Sequence, residues 1–183
     1  MSLARTRIAV RLLAVAALAA LTAGCFQPMY AEHADGTPGL REKLLAVEVP
    51  PVNKPNASHE ARIQVAIRNA LAFKLYGNAT GVAPLYRLDL KFTTTRSTVM
   101  IDPTTALPTD ESYGIDANFT LVEIATSKTV MSGNTFSRVS YDIPGSYQRF
   151  ARSRAVRDAE DRAAQEIAEH LQTRLASYFT AGT

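Results

Sequence analysis

One cysteine, three histidines and an acidic stretch near the C-terminus are the side chains from which catalysis or metal binding would have to be built. The cysteine is Cys25, which closes Leu21-Thr22-Ala23-Gly24 and has no second thiol to pair with. The histidines are His33, His59 and His170, and no two share a metal-ligand spacing. All three are expected to be solvated. Asp158, Glu160, Asp161, Glu166 and Glu169 alternate with arginines, a pattern that predicts the solvated outer face of a helix rather than a paired acid and base. There is no G-x-S-x-G, no P-loop and no G-x-G-x-x-G. The expectation is a non-enzyme with no catalytic residue, no metal and no cofactor.

Cys25 takes its meaning from what precedes it. Arg5, Arg7 and Arg11 are followed by Leu12 to Leu21, almost all Leu, Ala and Val. A basic start, an apolar run of about ten residues and small residues at its end describe an export signal. The run is too short to span a membrane, which takes roughly twenty apolar residues. Leu-Thr-Ala-Gly-Cys resembles the lipobox of bacterial lipoproteins, in which the cut falls before the cysteine. In that family the sulfur then receives a diacylglycerol and the new amino terminus is acylated. The expected layout is a signal peptide over 1–24, a lipidated tether over 25–43 and one periplasm-facing α+β domain over 44–183. The signal carries three of the 20 basic residues and none of the 17 acidic ones, so the mature chain is balanced. A nucleic-acid partner loses its electrostatic support at that point.

Behind the tether, which holds Pro28, Gly36, Pro38 and Gly39, Leu44 to Val49 predicts a strand stopped by Pro50-Pro51. Ser58 is placed as the N-cap of a helix whose apolar stripe is Ile63, Ile67, Leu71 and Leu75, with Gly77 at its C-terminal end. From Tyr86 the period becomes two. Tyr86, Leu88, Leu90 and Phe92 fall on one face; Arg87, Asp89, Lys91 and Thr93 fall on the other. A second alternating run, Tyr113 to Leu121, and a less clean one, Thr129 to Tyr141, complete an antiparallel meander. Val156, Ala159, Ala163, Ile167, Leu171, Leu175 and Tyr178 mark a long final helix, with Ala151 and Ala155 extending its lining and Asp158 placed to pair with Arg162. The predicted fold is a two-layer α+β sandwich: a four-stranded mixed sheet in the order strand-helix-strand-strand-strand-helix, with two helices on one face. The other face should be open and polar. Arg87, Lys91, Thr93 and Thr95 on that face are the candidate partner-binding residues.

Gly24-Cys25-Phe26-Gln27-Pro28-Met29-Tyr30, Val47-Glu48-Val49-Pro50-Pro51 with Arg68-Asn69-Ala70-Leu71, Ser140-Tyr141, and Arg157 to Ala164 running on to Phe179 form an ordered set of segments. That set resembles the lipopolysaccharide-assembly lipoprotein family, LptE. The family's opening has a Gly after the Cys, where this chain has Phe26. The resemblance implies an outer-membrane lipoprotein, held by lipid on Cys25, that plugs a β-barrel translocon of the LptD kind and assists lipopolysaccharide delivery. Lipopolysaccharide itself is then a possible ligand. Phe26 stands where an Asp would favour retention in the inner membrane, by the same family logic. Two other readings stay open: an accessory lipoprotein of an ABC-type lipid transporter, and a membrane-tethered enzyme.

Overall fold

Two apolar periodicities, one of about 3.6 residues and one of two, sort the chain into a helical layer and a sheet. The computed structural model describes residues 38–49, 53–77, 82–144 and 148–181. Apart from 38–40 these belong to one compact unit, Arg41–Thr183. In chain order the elements are α1 (Leu40–Leu45), β1 (Val47–Glu48), α2 (His59–Tyr76), β2 (Tyr86–Ile101), β3 (Pro108–Glu123), β4 (Lys128–Asp142) and α3 (Arg149–Thr180). The sheet has the order β1-β2-β3-β4, with β1 parallel to β2 and the other pairs antiparallel. This is the expected α+β arrangement, with α2 and α3 on one face. The signal segment, Cys25 and most of the tether lie outside the described residues, as do Pro50-Pro51.

α2 begins where the Ser58 hydroxyl accepts the Ala61 N–H at 3.1 Å, supplying one of the four donors a helix start leaves open. It ends at Gly77, whose φ of +57° suits a residue without Cβ and whose N–H donates to Phe73. Ile63, Ile67, Leu71 and Leu75 are all buried, and each such side chain contributes about 1.5–3 kcal/mol by leaving water. In α3 the buried stripe is Ala159, Ala163, Ala164, Ile167, Ala168, Leu171 and Leu175. Its alanines let the helix backbone lie close over β3 and β4. The lining expected to start at Ala151 starts at Ala159 instead, because Ala151 is exposed and Ala155 half-buried. The Arg162 Nε donates to Asp158 at 2.8 Å, one turn away, as the spacing predicts.

Tyr113, Ile115, Ala117, Phe119 and Leu121 of β3 form the centre of the sheet's covered face. Gly133 of β4 stands opposite Phe119, where a Cβ would come within 3.0 Å of the ring. Further along β4 the alternation is inverted. Thr135 and Ser137 are buried and Phe136 is exposed, because α3 supplies polar partners: His170 Nδ1 lies 3.1 Å from the Thr135 hydroxyl, and the Ser137 hydroxyl donates to Glu166 at 2.6 Å. The first strand is shorter than expected. Leu40 to Leu45 wind into α1, with Leu40 and Leu44 buried four residues apart, which leaves only Val47–Glu48 for β1. Tyr76 of α2 secures it: the hydroxyl donates to the Val47 carbonyl and accepts the Val49 N–H at 3.2 Å.

Candidate functional site

The uncovered face of the sheet is three long strands wide and mostly polar. Along β2 it presents Arg87, Asp89, Lys91, Thr93 and Thr95, in register with Val122, Thr120, Asn118, Asp116 and Gly114 of β3. β4 continues the rows with Ser132, Asn134, Phe136 and Arg138. The four residues singled out from the sequence are thus brought side by side at alternate positions of one strand, all exposed. Their surroundings differ. Arg87 Nε lies 3.3 Å from Asp89, whereas Lys91 makes no ion pair among the described residues.

Arg138, which the sequence did not single out, organises the middle of this face. Its Nη2 donates to both carboxylate oxygens of Asp116 at 2.8 Å, and its Nη1 donates to the Ser137 carbonyl at 2.9 Å. The guanidinium also sits 5.7 Å from the centre of the Phe136 ring. Gly114 makes room for it, since a Cβ there would meet Thr95 Oγ1 at 2.5 Å and Arg138 at 2.9 Å. Phe136 is 64% exposed, an aromatic side chain rimmed by Asp116, Asn134 and Arg138. The inverted alternation of β4 is the sequence signal that would have found it. Such a surface, polar with one aromatic anchor, is chemically suited to hydrogen bonding and local desolvation rather than to broad apolar burial.

A second polar constellation lies on the covered side. Glu160, expected on the solvated face of α3, is 1% exposed. Its carboxylate meets the Arg62 guanidinium of α2 through Oε2, and Oε1 lies 3.1 Å from Arg96 of β2 and 3.3 Å from His59 Nε2. His59 also lies 3.3 Å from the Tyr113 hydroxyl, so the histidine expected to be merely solvated is part of the packing. Burial, and after it the charges of Arg62 and Arg96, hold the His59 imidazole below its ordinary value of 6.5. Nearby, the Tyr141 hydroxyl donates to Glu111. Burial first, and that carboxylate second, push Tyr141 up to about 12. With every carboxylate oxygen turned to a cation, Glu160 is a structural clasp and no free acid or base. Among the described residues no three His, Cys, Asp or Glu gather where they would hold a metal, and no helix is long and apolar enough to cross a membrane.

The fold recurs in solved structures. A protein of Caulobacter crescentus CB15 classed as a lipoprotein superposes with a TM-score of 0.62 at 21% identity, covering 79% of this chain and 97% of its own. Rare lipoprotein B from Shewanella oneidensis superposes with a TM-score of 0.53 at 16% identity, covering 74% of this chain and 96% of its own. At those identities the likeness speaks for the fold. No curated protein matches the chain significantly. The family model described as LptE, lipopolysaccharide-assembly, matches residues 44–175, which takes in all four strands and the buried stripes of α2 and α3. On that match, the chain belongs to the LptE family and has a role in lipopolysaccharide assembly.

Proposed function

We propose that this protein is an outer-membrane lipoprotein, anchored through acylated Cys25, whose domain seats in the lumen of a β-barrel translocon and assists lipopolysaccharide assembly there. The observation that carries the reading is the open polar sheet face in a member of this family. The lumen of a bacterial outer-membrane barrel is polar, because its apolar side chains face lipid. A domain that fills such a lumen needs hydrogen-bonding side chains on a rigid wall. Arg87, Lys91, Thr93 and Thr95, with Phe136 and Arg138 beside them, supply that wall, while α2 and α3 seal the apolar core on the other side.

The test is charge reversal on β2. Arg87→Glu with Lys91→Glu leaves the isolated chain folded, because both side chains are exposed, and its circular dichroism should match wild type. Recovery of the barrel protein with a tagged chain should fall at least about tenfold, since reversed charges then face fixed partners. A folded double variant that recovers the barrel at wild-type yield removes this face from the interface. Recovery of an ATPase complex in place of a barrel would favour the transporter reading instead.

A further inference from the structure

Among the described residues the first edge of the sheet is nearly empty. β1 covers only Tyr86 and Arg87 of β2, whose ladder with β3 runs on to Ile101. The Tyr86 N–H donates toward β1, to the Ala46 carbonyl, while the Leu85 carbonyl accepts the Ile124 N–H on the β3 side. N–H and C=O groups alternate sides along a strand. Leu90, Phe92, Thr94 and Arg96 therefore direct theirs away from β3, along an edge that no described strand covers. Sheets usually blunt such edges with prolines, bulges or short strands. Here no proline or glycine occurs in β2, and no register shift interrupts it before Thr98.

α2 stands over this edge, and the two enclose a cleft of about 620 Å³. Ile67 and Leu71 of α2 and Leu90 and Phe92 of β2 give it an apolar lining, and Lys54, Arg68 and Lys91 add three cations against the one carboxylate of Asp89. The place a longer β1 would fill is thus preformed, with a row of backbone groups on one side and an apolar slot above it. Only an extended chain matches donors and acceptors repeating every second residue along one edge.

We propose that β2 from Leu90 to Arg96 receives an added strand from the barrel partner, an extended segment with apolar side chains at alternate positions and a carboxylate near Lys54 and Lys91. This rests on the barrel reading above. The wall strands of a closed barrel are paired on both sides, so the segment comes from a lumenal loop or a terminal arm of the barrel chain. Lys91 belongs to both surfaces, so the added strand would continue the open-face contact around the sheet's edge.

The test uses the full chain purified from membranes with its partner. Thr94→Pro removes a donor that points outward and leaves the ladder to β3 intact, which edge strands tolerate. It should melt within a few degrees of wild type yet recover about tenfold less barrel. Thr95→Pro, whose N–H faces β3, should instead lower the melting temperature itself. In parallel, Thr94→Cys carrying a photoreactive maleimide should crosslink to the barrel chain, and this decides the matter if Thr94→Pro does not fold. A folded Thr94→Pro that recovers the barrel at wild-type yield overturns the proposal. So does a crosslink confined to a second copy, or to residues 25–37 of the same chain. If even the wild-type chain recovers no barrel, this proposal and the barrel reading fall together; barrel recovered equally by both chains removes only the added strand.

Discussion

Glu160 shows how one side chain can join three elements, because the carboxylate of α3 is held by Arg62 of α2 and Arg96 of β2. Removing the carboxylate and removing the cations are not equivalent. Arg62 and Arg96 are 37% and 48% exposed, so without Glu160 they turn to water. Glu160 at 1% exposure cannot. Glu160→Gln should therefore cost about 1–3 kcal/mol in urea denaturation, and Arg62→Met with Arg96→Met about 3–5 kcal/mol, the scale of an uncompensated buried charge. Equal losses would refute the clasp. His59 adds a pH dependence. Its imidazole is held below 6.5 in the folded state, so as pH falls through 6.5 the unfolded chain takes up the proton first. Stability is then fully present above about pH 6.5 and declines below it. The melting temperature of His59→Gln should fall less between pH 7 and pH 5 than that of wild type. Identical slopes would show that His59 does not titrate differently on folding. Neither role was read from the sequence, where Glu160 sits among charges. Its row on the helix, Ala164 and Ala168 at steps of four, is apolar and buried, and that was the legible sign.

At the level of elements, α3 tests which part of a helix holds the fold. Leu171 is fully buried and Ala151 is exposed. Leu171→Asp places an unpaired carboxylate in the apolar layer and should cost several kcal/mol out of a total of about 5–15, leaving the chain largely unfolded by circular dichroism. Ala151→Asp should be neutral or slightly stabilising, because the first turn of α3 has no acidic residue to meet the positive end of the helix. If both behave alike, the buried stripe is misplaced. The long elements were legible because periodicity accumulates over many residues: α2 with its Ser58 cap and Gly77 stop, β2 and β3 by alternation, and α3 by its steps of four. The short ones were not. Six residues of α1 give barely two turns, and Leu44 to Val49 reads equally as strand until Leu40 and Leu44 are both found buried. In β4 the alternation misleads between Thr135 and Ser137, because polar partners from α3 allow hydroxyls inside and push Phe136 out. The open face was therefore legible on β2, and its aromatic and arginine centre on β4 was not.

For the whole molecule, the ends of the domain have distinct characters. Lys43 of α1 donates to the Phe179 carbonyl at 3.3 Å, so the chain enters the domain beside the end of α3. The β2–β3 hairpin lies at the opposite end of the strands, and there Val99, Met100, Ile101 and Leu107 are more than half exposed. With strands of 15 and 16 residues at about 3.3 Å each, the two ends are separated by roughly 50 Å. The proposed anchor precedes α1 in the sequence. Cys25 is the residue expected to carry that anchor. Each buried CH₂ contributes about 0.8 kcal/mol and a single acyl chain binds only marginally, so a diacylglycerol with an added amide-linked chain makes attachment effectively permanent. Cys25→Ser removes the sulfur proposed to accept the diacylglycerol and should yield an unprocessed or soluble chain. The melting temperature of the folded domain should not change, because the compact unit begins at Arg41. On the proposed function, partner recovery should fall even so, since an anchor would confine the domain to the membrane that holds the barrel and raise its effective concentration there. Mass spectrometry of the amino-terminal peptide, with fractionation of the membranes, checks each step. A Cys25→Ser chain that is still cut ahead of residue 25 and still fractionates with the outer membrane would show that neither processing nor attachment depends on this thiol.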